Sequence, residues 1–306
     1  MRPKINLRAA MAQVTDAADA RMTFAELCAA FCAMSDDDSD ERRLKKWVEA
    51  FGTSPAWELT TRHFSLAAEA MMQSGQYKAS TVNRDLSSVG SVFKWAQRRH
   101  LSPIGFVSPT VGIPRYDEAI RRVEVSNKEI ERLLAAAHGY KDRRFAVYVR
   151  LMIETGARRG EVRERQWKDV DLETRTITVI QTKTDRPRTL FFSEETAALI
   201  RRVWPAKREP DALVFQGRRY GQPINFRKAW EDVAAAIGRP DLHLHDLRHH
   251  RAAELLRKGT TLAVAAQVLG HSSLILQRRY GHLEDAVLRR AAESSWQAPG
   301  ADNTLR

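Results

Sequence analysis

Between residues 102 and 122 the chain reads SPIGFVSPTVGIPRYDEAIRR, where Pro103, Pro109 and Pro114 alternate with Gly105 and Gly112. Proline fixes its own φ and has no amide N–H, so no helix or strand of ordinary length fits between breaks this close. The segments on either side must therefore close separate cores, and 306 residues suffice for two. The spacing predicts an arm at 1–21, a helical domain at 22–114, a linker at 115–124, a second domain at 125–283, and a helix and tail at 284–306.

Before the break the apolar residues recur at helical spacing. Helices are expected over 22–34, where Thr23 and Glu26 have the spacing of a capping box, and over 41–51, 61–73 and 80–99. SDDDSDE (35–41) is an acidic loop leading into the second of these. The helix over 80–99 places Val82, Leu86, Val89, Phe93 and Ala96 on one face. Its Arg84, Lys94, Arg98 and Arg99 suit a phosphate backbone, and equally a solvated helix face. After the break, helices are expected over 126–137, with a Ser126–Glu129 capping box, and over 143–155 as an amphipathic helix. A turn and a short helix follow within 155–167. The stretch 169–192 alternates as strands around TKTDR, a hairpin with Lys183 at or near its tip. Helices at 193–204, 225–238 and 284–296 and a short strand at 213–215 complete the pattern. The fold class is mainly α with a small antiparallel β-sheet.

The formal net charge is +12, and it is unevenly placed. Residues 1–118 hold 15 Lys and Arg against 14 Asp and Glu, whereas 119–306 hold 35 against 24. A surplus confined to the second domain points to a polyanionic partner, most simply nucleic acid, unless arginine is merely common in the source proteome. Cys28 and Cys32 sit at i,i+4, too far apart for a disulfide on a helix, and read as buried thiols. Neither a signal peptide nor a membrane-length apolar run is visible, so a soluble cytoplasmic protein is expected.

The stretch from His245 to Tyr280, HDLRHHRAAELLRKGTTLAVAAQVLGHSSLILQRRY, gathers histidines, arginines and one tyrosine over what reads as three short helices. His245 and Arg248 are three apart and project from one helix face, a pairing suited to a phosphate. LGH at 269–271 reads as a helix ending on Gly270 with a histidine just beyond. A metal site built from His243, His245, His249 and His250 is the weaker reading, because paired cysteines are lacking and the adjacent arginines repel a cation. No metal or other cofactor is expected.

In the order TGARRGE, TKT, HDLRH, LGHSS and RRYGH, these motifs resemble the tyrosine recombinase (phage integrase) family over nearly the whole chain. The resemblance implies a SAM-like helical core-binding domain followed by an α+β catalytic domain, clamped on duplex DNA as a homo-tetramer, with the segment from 284 onward a candidate contact with a neighbouring subunit. By motif position Arg158, rather than Arg159, matches the first catalytic arginine, Lys183 the hairpin lysine, and His245 with Arg248 the H-x-x-R pair. His271 matches the second histidine and Tyr280 the nucleophile. Each has a duller reading alone: Lys183 as a surface lysine, Tyr280 as a packed aromatic, His245 as one histidine among several. The resemblance further implies site-specific recombination, for a prophage or mobile element in the first instance. The alternatives are a chromosome-dimer-resolving recombinase, a type IB topoisomerase and a DNA-binding relative without catalysis. An arm near twenty residues is short for a separate arm-site domain. The chain departs from the family pattern at Arg163 and Arg165, and at Ile275 and Leu276.

The chemistry is coherent on general grounds. A tyrosine attacking a phosphodiester passes through a transition state with extra charge on the non-bridging oxygens, which forked arginines stabilise. A phenol of pKa about 10 needs a proton acceptor, expected to be His245, and the leaving 5′ oxygen needs a donor, expected to be Lys183. His271 is expected to donate to the phosphate.

Overall fold

A computed structural model describes residues 22–35, 39–118, 123–180 and 187–270, together with 274, 276, 277, 280 and 292. Lys183, His271 and Ile275, the arm at 1–21 and, apart from Ala292, the helix expected at 284–296 lie outside the described residues. The chain divides into two compact units, Met1–Arg121 and Arg122–Arg306.

The first unit contains helices α1 (Phe24–Cys32), α2 (Ser39–Phe51), α3 (Thr61–Gln73) and α4 (Ala79–Arg98). Helix α1 starts at the expected capping box: the Thr23 N–H and hydroxyl both donate to Glu26 Oε2 at 2.8 Å. The apolar stripe of α4 is buried throughout, from Val82 through Leu86, Val89 and Phe93 to Ala96. Phe93 meets Phe24 of α1 at 5.7 Å and Phe64 of α3 at 6.1 Å between ring centres, while Trp47 of α2 meets Phe64 at 5.6 Å. One aromatic cluster thus takes a ring from each helix, and each ring removes a large apolar area from water. Cys28 is buried, and burial pushes its thiol up to about 12. Cys32 is only partly buried, at the end of the helix where the core thins. The described residues of the proline-rich stretch form no helix or strand, yet they pack on this unit. Phe106 lies against Phe93 and Trp57, and the Asn83 amide both donates to the Tyr116 carbonyl and accepts its N–H.

In the second unit α5 (Asn127–His138) follows a capping box in which the Ser126 N–H and hydroxyl donate to Glu129 Oε2 at 2.8 and 2.7 Å. Helix α6 (Arg143–Thr155) was expected to be amphipathic, but Phe145 to Val149 and Leu151 to Ile153 are all buried. It is the central helix, packed by α5, by α8 (Glu194–Val203) and by α10 (Leu244–Arg257), so it has almost no solvent face. A short α7 (Arg159–Arg163) leads to an antiparallel sheet of order β1-β2-β3, with β1 at Val170–Asp171, β2 at Thr176–Val179 and β3 at Arg188–Phe191. Ile177 pairs with Leu190 and Val179 with Arg188. The strand expected at 213–215 is not formed. Leu213 makes a lone bridge to Gln166, and Gln216 another to Pro223, because each partner turns away after one residue. Val214 and Phe215 are buried nonetheless. Helices α9 (Arg227–Ala236), α10 and α11 (Leu262–Leu269) complete the described elements.

Candidate active site

The site is built around the C-terminal end of α11. That helix ends on Gly270 at φ +63°, where the last carbonyls, those of Val268, Leu269 and Gly270, run out of partners within the helix. Three arginines from three elements supply the donors. Arg188 Nη1 donates to Val268 O at 2.8 Å, Arg248 Nη2 to Leu269 O at 2.5 Å, and Arg158 Nη2 to Gly270 O at 2.9 Å. A Cβ on Gly270 would stand 2.9 Å from Arg188 Nη1, so this position is glycine for space as well as for φ.

Gly156, at the end of α6, fixes the other side. Its φ is +60°, and a Cβ there would come within 2.5 Å of the Leu269 side chain. Its carbonyl accepts from Arg248 Nη1 at 2.6 Å, so one guanidinium ties the α6 end to the α11 end. Glu161 links the remaining two arginines. Its carboxylate takes the Arg158 N–H at 2.6 Å and Arg158 Nη1 at 2.8 Å, and it is ion-paired with Arg188. Burial raises its pKa, but the Arg158 N–H and the two guanidiniums outweigh that and hold the carboxyl below its usual range.

The three guanidiniums differ in exposure. Arg158 keeps 31% of its side chain exposed, Arg188 9%, and Arg248 as a residue 1%. Burial, with repulsion from Arg158 and Arg188, lowers Arg248 to about 9, which still leaves it charged at neutral pH. Glu161 and an ionised Tyr280 act the other way and favour its charged form.

Tyr280 lies in helical backbone, 8% exposed, in an apolar cluster with Ala252 and Leu256 of α10, Ala265, Ala266 and Leu269 of α11, and Leu276. Leu276, at one of the positions where the chain departs from the family pattern, is fully buried and holds the tyrosine segment between the two helices. The Tyr280 hydroxyl is hydrogen-bonded to Nδ1 of His249. His245 is exposed one turn earlier on α10, its ring edge-on to that of His249 at 4.7 Å. His250 is committed elsewhere: its Nδ1–H donates to the Val125 carbonyl at 2.8 Å. The start of α10 is fixed by Asp246, whose buried carboxylate accepts the His243 N–H at 2.7 Å.

The phage integrase family model matches residues 124–286, and the model for the phage integrase N-terminal SAM-like domain matches residues 39–100. The chain belongs to the phage integrase family. It is 29% identical over 230 residues to tyrosine recombinase XerC of Mycobacterium bovis, covering 70% of this chain and 76% of that protein. It is 31% identical over 212 residues to tyrosine recombinase XerA of Saccharolobus solfataricus, covering 67% and 68%. Its fold matches that of the Tn1549 transposon integrase, solved with a circular intermediate DNA, at a TM-score of 0.68 and 18% identity over 88% of this chain and 99% of that one. A lambda integrase dimer bound to a COC′ core site matches at 0.61 and 16% identity, over 82% and 96%. The chain is accordingly an enzyme, a site-specific DNA recombinase of the tyrosine type.

Of the six residues singled out in the sequence, the structure brings Arg158, Arg248, His245 and Tyr280 into one neighbourhood, and Lys183 and His271 lie outside the described residues. Three participants stand outside those six: Arg188, Glu161 and His249. Arg188 was legible in principle. Strand alternation puts it on the same face of β3 as buried Leu190, where an arginine demands a partner. In the first unit Arg84, Lys94 and Arg98 are exposed on α4, along one stripe with Ser87 and Ser91. Arg99, the residue after the helix, sits 5.9 Å from the Trp95 ring instead. Arg163 pairs with Glu164 at 3.0 Å and Arg165 with Asp169 at 3.6 Å, so both arginines after Glu161 find carboxylates. Among the described residues no helix is long and apolar enough to cross a membrane.

Proposed function

We propose that this integrase cleaves and rejoins duplex DNA through a 3′-phosphotyrosyl bond to Tyr280, leaving a free 5′-hydroxyl that attacks a partner strand in the second transesterification. One observation carries the reading. Tyr280, its hydroxyl on a histidine of the HDLRH helix, packs in one cluster with Leu269, whose carbonyl Arg248 holds, and the guanidinium of Arg248 joins Arg158 at the end of α11. Nucleophile and phosphate clamp thus converge from distant parts of the chain.

In this mechanism Arg158 and Arg248 hold the non-bridging oxygens, and the half-exposed Arg158 offers the accessible edge to an arriving phosphate. Lys183 protonates the leaving 5′ oxygen, His271 donates to the phosphate, and the imidazoles at the start of α10, His245 among them, serve the tyrosine's proton. The phosphodiester energy is kept in the protein–DNA bond, so the reaction draws on neither a nucleotide nor a metal. Arg84, Lys94, Arg98 and Arg99 contact the DNA backbone from the first domain. Four copies assemble on DNA, and the terminal residues from 284 onward dock on a neighbour. A prophage or mobile element is the proposed biological setting, with resolution of chromosome dimers the alternative.

A nicked suicide substrate incubated with the protein in EDTA tests this directly. A covalent protein–DNA adduct is expected, abolished by Tyr280→Phe while duplex binding survives. An adduct that persists in that variant, or that EDTA prevents, overturns the mechanism.

A further inference from the structure

The H-x-x-R pair by itself names His245, yet the imidazole nitrogen that meets the nucleophile belongs to the next turn of α10. We infer that His249 is the proton acceptor of Tyr280, a catalytic residue that the six-residue signature does not contain. The inference rests on Tyr280 being the nucleophile and adds where its proton goes.

Three observations support it. First, the contact is atom-specific: Nδ1 of His249 is hydrogen-bonded to the Tyr280 hydroxyl, with the ring centres 6.1 Å apart and the planes tilted by 47°. A phenol O–H donating to Nδ1 requires the proton of neutral His249 to sit on Nε2, which is the tautomer a base needs. Second, the pair is held from outside. Tyr280 is packed by Leu276, Ala265, Ala266 and Leu269, and His249 is braced by the edge of His245 at 4.7 Å. Third, a cation stands beside the pair: Arg248 is next in sequence to His249, and its guanidinium donates to the carbonyl of Leu269, which packs in the cluster that holds Tyr280. From α11 the faces towards the tyrosine are apolar, through Ala265, Ala266 and Leu269.

The step balances as follows. The Tyr280 oxygen forms a bond to phosphorus while the bond from phosphorus to the 5′ oxygen breaks. The phenol proton passes to Nδ1 of His249, giving an imidazolium, and the 5′ oxygen takes a proton from the donor at the hairpin. Religation runs the transfers in reverse, returning the proton from His249 to Tyr280. His245 acts through its packing on His249, as a positioning residue for the acceptor.

The experiment compares two replacements of His249 on the full-length protein with a nicked suicide duplex. Asparagine places an amide near the position of Nδ1 and keeps a hydrogen-bonding group there, but it cannot take a proton. His249→Asn and His249→Ala are both expected to slow adduct formation by about 10²-fold or more, the usual contribution of a positioned base. Duplex affinity and the melting temperature should stay near wild type, since His249 is only partly buried. A ring-fluorinated tyrosine at position 280 has a more acidic phenol and should recover much of the loss in His249→Asn, an effect that a purely structural defect does not produce. Wild-type rates in His249→Asn would show that His249 merely orients the hydroxyl. Faster cleavage in His249→Ala would show that the contact is a latch restraining the tyrosine. Failure of the acidic phenol to rescue would place the proton transfer elsewhere. Each of these overturns the inference while Tyr280→Phe still abolishes the adduct, and an adduct surviving in Tyr280→Phe overturns the nucleophile itself.

Discussion

Replacing Arg188 by methionine keeps most of the side chain's volume and removes its guanidinium. In the folded chain that group is ion-paired with Glu161 and donates to Val268 O at 2.8 Å, with 9% of the side chain exposed. Removing one partner of a buried pair costs about 3–5 kcal/mol. Glu161 retains two donors from Arg158, so the low end applies, and the Val268 carbonyl left without its donor adds about 1 kcal/mol. At about 2–4 °C per kcal/mol for a domain of this size, the combined loss of about 4 kcal/mol should melt the second unit roughly 8–16 °C lower near neutral pH. The pH dependence follows from Glu161, whose folded pKa is depressed. Its pairing stabilises the fold above the unfolded carboxylate pKa and is lost as pH falls through the lower folded value. The gap between wild type and Arg188→Met should therefore narrow in acid. Thermal unfolding at a series of pH values reads both effects. A variant that melts within about 1 °C of wild type near neutrality, or a gap that widens in acid, would refute the account of Arg188 as a structural tie.

Gly270→Ala should cost about 1–2 kcal/mol for the left-handed backbone alone. Because its methyl also strikes Arg188, the adduct rate should fall as well, whereas Gly75→Ala, at φ +68° with open space around it, should cost only the backbone term in an unfolding measurement. Leu276→Ala empties a fully buried site and should lose about 2–5 kcal/mol locally, seen as faster hydrogen exchange in α10 and α11 and slower cleavage. Neutralising Lys94 or Arg98 on α4 should lower the slope of log affinity against log salt by about 0.9 for each phosphate contact removed, with adduct chemistry at saturating DNA unchanged.

The sequence by itself determined the elements and the chemistry. Helix periodicity located α4 with its buried stripe from Val82 to Ala96, and the capping pairs at Thr23 and Ser126 marked two helix starts. These are local signals, set by residues three and four apart, and they survive folding because tertiary packing uses them. The proline-rich stretch announced two cores, although only the structure showed that Phe106 and Tyr116 pack onto the first. The all-round burial of α6 and the failed strand at 213–215 depended on what surrounds them, which periodicity does not encode.

The motifs identified Arg158, Arg248 and Tyr280 by type and order. Tertiary structure alone decided that α11 would end against three arginines, that Glu161 would tie two of them, and that the imidazole on Tyr280 would be His249. The physical reason is that these contacts join residues far apart in the chain. Their partners are backbone carbonyls at a helix end, or one ring chosen from several on the same helix. A row of histidines states that an imidazole is available, and the way the tyrosine segment packs over α10, with Leu276 as its anchor, selects which one is used.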